Sequence, residues 1–81
     1  MRDVQEKILD EIQDERDRQD VMFGQKNDDA LLTNDWVAIL VRQIGLAASD
    51  GAAVDDTRFH RQMVRTAATA VAALEAFRRR H

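Results

Sequence analysis

Residues 34–48 most constrain what the chain can become. Trp36, Ile39, Leu40 and Ile44, with Val37, Val41 and Ala47 alongside, repeat at helical spacing and make a wide apolar face. Thr33, Asn34 and Asp35 precede them as capping residues, and Ser49-Asp50-Gly51 follows as a stop. No other segment carries comparable bulk. This helix is therefore expected at the centre of the fold, with Trp36 in the core.

On either side the same reading gives two more helices. Val4, Ile8 and Ile12 repeat every four residues and predict a first helix over about 4–21. Beyond Ile12 that helix is almost wholly polar, a solvated face with pairs such as Asp14 with Arg18, or else one on which Glu15 and Gln19 look onto a site. Phe23 is expected to plug the core, Gly24 to cap the helix in a positive-φ conformation, and Gln25-Lys26-Asn27-Asp28-Asp29 to be a polar connector. Met22 and Met63 have the character of gap fillers. The last helix is predicted from Asp55-Asp56-Thr57 to Arg80, with Phe59, Met63, Ala67, Ala70 or Val71, Leu74 and Phe77 on its apolar face. Six alanines between Ala67 and Ala76 favour the helix and let another approach closely, and Arg78-Arg79-Arg80 complements its C-terminal dipole. No stretch alternates as a strand would.

Eighty-one residues make one helical domain spanning 1–81. With no Cys to staple it and about three amphipathic helices to bury, an all-α bundle of this size is expected to be completed by self-association, as a dimer or larger assembly. No apolar run approaches the ~20 residues of a membrane span. The polar, acidic opening Met1-Arg2-Asp3-Val4-Gln5-Glu6 is unlike a signal peptide, so a cytoplasmic location is expected.

Charge is unevenly shared. Residues 1–35 hold eleven Asp or Glu against five Lys or Arg, whereas residues 36–81 hold four against seven. The acidic half would repel phosphates, which argues against general nucleic-acid binding but leaves room for a local basic site. His60 and His81 have no second ligand at metal spacing, and there is no Gly-rich phosphate loop, nucleophile motif or Cys/His cluster.

Three segments, Glu15-Arg16-Asp17-Arg18-Gln19-Asp20-Val21-Met22-Phe23-Gly24, Asp35-Trp36-Val37-Ala38-Ile39-Leu40 and the alanine-rich run from Ala67 to Ala76, resemble small phage and prophage proteins of the MazG-like class. Those are all-α nucleoside triphosphate pyrophosphohydrolases. The resemblance implies a MazG-like bundle and a reaction in which Mg²⁺ ions, held by acidic clusters on two helices, clamp the phosphates and activate water.

The positions of those clusters carry other chemistry in this chain. They fall on Arg42, Gln43 and Leu46, and on Arg61 or Gln62 and Arg65, and a guanidinium has no lone pair to offer a cation. No metal, cofactor or catalytic residue is expected, and the chain takes the form of a pseudoenzyme that acts by binding. Two surfaces are candidates. The acidic face of Asp14, Glu15 and Asp17 would dock on a host protein, a defence protein included, as an inhibitor occupying a basic groove. Alternatively Arg42, Arg61 and Arg65, with Trp36 as a stacking wall and Gln19 beside them, would hold a nucleotide without metal. On the other reading of the same arginines, they pair with Asp14, Glu15 and Asp17 of the first helix, and salt bridges replace metal-bridged packing. A third alternative is a Mg²⁺-dependent pyrophosphohydrolase with a relocated site built from Glu15 and acids of a neighbouring subunit.

Overall fold

A computed structural model describes residues 2–81. The chain is all-helical: α1 (Arg2–Phe23), a short α2 (Gln25–Asp29), α3 (Thr33–Ser49) and α4 (Asp56–Arg80). The expected polar connector at 25–29 is thus itself a helical turn, entered through Gly24, whose φ of 80° favours a residue without Cβ. A similar demand falls on Gly51, at φ 85°, in the turn between α3 and α4. Among the described residues no helix is long and apolar enough to cross a membrane.

The spine is α4, which corrects the expectation that α3 would be central. α1, α2 and α3 all pack on α4, and among the described residues α1 and α3 do not pack on one another. α1 runs alongside α4 in the same direction: Glu11 lies beside His60, with Oε2 and Nε2 2.6 Å apart, and Gln19 beside Thr69. α3 runs against it, so that Trp36 meets Ala72 and Ala76 while Asp50, at its far end, accepts from Gln62 at 2.9 Å. Small side chains explain the arrangement. Ala68, Thr69, Ala72 and Ala76 are all buried on α4 and let two helices come close on adjacent flanks.

The buried face of α4 is therefore not the face its apolar periodicity predicts. Phe59, Leu74 and Phe77 are 53, 65 and 48% exposed, on the opposite side from Ala68 and Ala72. The core is correspondingly thin: Trp36, Ala72 and Ala76, with Leu31, Ile39 and Ala73 against them. α3 divides in the same way, turning Trp36 and Ala47 inward and Val37, Val41 and Ile44 outward. Phe23 and Met22 are exposed rather than filling the core.

Helix ends follow familiar chemistry with one shift. Asp55 caps α4 by accepting the Arg58 N–H at 3.0 Å. At α3 the carboxylate of Asp35 reaches back to the Leu32 N–H at 2.9 Å, so the chain before Thr33 is tied down by the third helical residue. The C-terminal arginines do more than answer the helix dipole: Arg79 pairs with Asp29 at 2.7 Å and Arg80 donates to the Leu31 carbonyl at 2.9 Å. These bonds fasten α2 and the following turn to the end of α4.

Candidate functional site

A groove opens where α1 and α3 diverge over α4. It encloses about 520 Å3, within the range of small-molecule sites, and is lined from all four helices, with Trp36, Ile39 and Ala72 as its apolar side. Its polar side is a buried layer that begins at Arg16. One turn after the half-buried Ile12, Arg16 continues the inward stripe of α1 and is 6% exposed. Its Nε donates to Glu75 Oε1 at 2.8 Å, and its Nη2 lies 3.5 Å from Asp20 and 3.7 Å from Asp28. Burial works against the charge, but Glu75, Asp20 and Asp28 together hold this guanidinium above its ordinary pKa. Burial pushes the Asp28 carboxyl up, with the positive charge of Arg16 acting against it.

One turn further on, Gln19 enters the same layer at 9% exposure. Its amide nitrogen sits 3.3 Å from the Thr69 hydroxyl, 3.4 Å from the Arg65 carbonyl and 3.2 Å from Glu15. From the other side Gln43 of α3 donates to the same Thr69 oxygen at 2.9 Å. Thr69 in turn donates to the Arg65 carbonyl at 3.0 Å, so its hydroxyl is fully used. One α4 hydroxyl thus registers both flanking helices.

Among the described residues, three polar atoms of the groove lining are buried without a partner: Nη1 of Arg16, Nε of Arg65 and Oε1 of Gln43. The first two are cationic donors and the third is an acceptor. Arg65 makes no ion pair among the described residues, although its charge helps to hold the Glu15 carboxyl down. Glu15 is bonded elsewhere. Arg18 binds it at 2.7 Å and that bond holds its carboxyl below the ordinary value, while burial acts in the opposite direction.

Of the five residues expected at an anion site, Arg65, Trp36 and Gln19 line the groove together. Arg42 and Arg61 are exposed and do not line it, so the three arginines do not form one cluster. None of them makes an ion pair with Asp14, Glu15 or Asp17 among the described residues. Within α1 the Asp14–Arg18 pair is replaced by Arg18–Glu15, and Gln13 donates to Asp17 at 2.9 Å. Asp14 and Asp17 are exposed and Glu15 is half-buried. Leu46 is 52% exposed on α3. Among the described residues no three His, Cys, Asp or Glu side chains are gathered as a metal ion would need.

Sequence reasoning passed over Arg16, Asp28, Thr69 and Glu75. The available signal was positional: Arg16 follows Ile12 by four residues and precedes Gln19 by three, which puts a cation on the buried stripe of α1. The chain matches no family model, no curated protein and no solved structure.

Proposed function

We propose that this protein acts by binding, and that its groove holds an anionic, phosphate-bearing ligand of nucleotide type without a metal ion. The observation that carries this reading is the Arg65 guanidinium, a cation with no ion pair among the described residues that lines a cavity it shares with Trp36. A guanidinium recognises phosphate or carboxylate oxygens well, and an indole offers an apolar surface for a base. Arg16 and Gln43 line the same cavity and add a second guanidinium and an amide to its polar side. The reading keeps the resemblance to MazG-like proteins as one of architecture, with arginine at family ligand positions, and it takes the working form to be self-associated.

The test is thermal stabilisation by a panel of nucleoside mono-, di- and triphosphates in the presence of chelator, beside a pyrophosphate-release assay. Stabilisation that survives chelator and disappears in Arg65→Gln supports the reading. Stabilisation that needs Mg²⁺, accompanied by pyrophosphate release, would replace it with the relocated-site enzyme.

A second reading has its own observation. Asp14 and Asp17 lie exposed on α1, with no ion pair to spend their charge among the described residues. That face suits a basic groove on a host protein, as an inhibitor would use it. Charge reversal at Asp14 and Asp17 that left capture of such a partner intact would remove this reading.

A further inference from the structure

The side of α4 turned away from the groove carries the largest apolar side chains of that helix. Phe59, Met63, Ala67, Ala70, Leu74 and Phe77 fall at spacings of four, four, three, four and three residues, one stripe of an α-helix. None of these residues is buried. Their order reads the same in both directions about residue 68: aromatic, long, alanine, alanine, long, aromatic. A stripe with that symmetry is complementary to its own reverse.

The area supports one occupant. A folded monomer of 9.3 kDa typically exposes about 5,000 Å2, whereas this chain exposes 6174 Å2. The excess, roughly 1,200 Å2, exceeds the ~800 Å2 that each partner contributes to a standard interface. The radius of gyration points the same way, at 13.4 Å against about 12 Å for a compact chain of this length.

We infer that a second copy of this chain covers the stripe, as an isologous dimer in which α4 pairs with α4 antiparallel about a two-fold axis near residue 68. Phe59 of one copy then packs by Phe77 of the other, and Met63 by Leu74. Ala67 and Ala70 meet at the crossing, where the absence of bulk lets the backbones approach closely. The two grooves stay open, because Arg65, Thr69 and Ala72 point to the opposite side of α4. The inference stands apart from the groove reading, and a protein that binds no nucleotide would still form this dimer.

Light scattering or sedimentation equilibrium from micromolar to millimolar concentration is the test. The expected mass is twice 9.3 kDa for the native chain. It falls to that of the single chain in Leu74→Lys with helicity retained, because Leu74 is 65% exposed within the protomer. Val54→Lys changes an equally apolar residue off the stripe, 90% exposed, and leaves the dimer in place. Orientation is read by cross-linking, since the native chain has no cysteine. Phe59→Cys links to Phe77→Cys in a mixed sample and not to itself. A native chain that stays monomeric, a Leu74→Lys protein that stays dimeric, or Phe59→Cys that links to itself would each overturn the inference.

Discussion

Arg16 of α1 donates through Nε to Glu75 of α4, a bond of 2.8 Å that joins residues 59 apart in sequence. Around the same guanidinium stand Asp20 and Asp28, so a buried cation is ringed by three carboxylates from three helices. A positive charge at that point is what allows α1, α2 and α4 to meet.

Arg16→Ala should therefore destabilise the fold by about 2–4 kcal/mol, since it strands the buried Asp28 carboxylate beside Asp20. Glu75→Gln should cost less, because Glu75 is 46% exposed and an amide oxygen still accepts from Nε. Chemical denaturation of the two variants checks the order. Equal losses would show that the Glu75 bond, and not the burial of Asp28, dominates.

Thr69→Val keeps shape and removes the acceptor shared by Gln19 and Gln43. Gln43 then loses its α4 acceptor and Gln19 keeps only the Arg65 carbonyl on that helix, at a cost of about 1–3 kcal/mol. Thr69→Ser restores the oxygen and should recover most of the loss. Urea midpoints of the three proteins test this, with no recovery by serine pointing to the methyl group instead.

Ala72 and Ala70 lie on opposite sides of α4, and leucine at each should behave differently. Ala72→Leu wedges against Trp36 and should cost about 1–3 kcal/mol, with a shift in Trp36 fluorescence. Ala70→Leu should leave the Trp36 signal unchanged. The reverse pattern would place the outer face of α4 in the core.

Two carboxyls give opposite pH dependences. Asp28 is held above its ordinary value of 3.8, so the folded chain binds that proton more tightly than the unfolded chain. Its contribution to stability grows as pH falls through the folded pKa toward 3.8, and is absent at neutral pH. Glu15 is held below its ordinary 4.5, so its contribution is present above 4.5 and lost as pH falls through the folded pKa. Thermal melts of the native chain and Asp28→Asn over the acidic range should diverge, with the native chain gaining relative to the variant before Glu15 is titrated. Parallel curves would count against a raised Asp28.

Much of the architecture was legible because it rests on local signals. The start of α4 at Asp55-Asp56, the stop at Gly51 and the positive φ of Gly24 all follow from single-residue chemistry. What failed was the assumption that the bulkiest stripe of a helix faces its own core. On α4 the large residues face out while Ala68, Ala72 and Ala76 face in, and hydrophobic periodicity carries no information on which of two usable faces a chain spends on itself. The site was half legible for a related reason. Trp36, Gln19 and Arg65 could be named from sequence, but adding Arg42 assumed a pairing of α3 and α4 different from the one adopted, and Arg61, one turn before Arg65 on α4, is exposed outside the groove. The spacing of Arg16 pointed inward, but its bond to Glu75, 59 residues away, is a pairing no spacing rule spans.

Because α1 and α3 each lean on α4 and not on one another, the molecule is built like a pair of tongs. The arms share a back and have free inner edges, and two glutamines meet across the gap on one threonine. Anything seated between them becomes the missing brace. Occupancy would then be felt as a change in the spread of the arms, visible as a distance between labels on α1 and α3, while the helical content stayed constant.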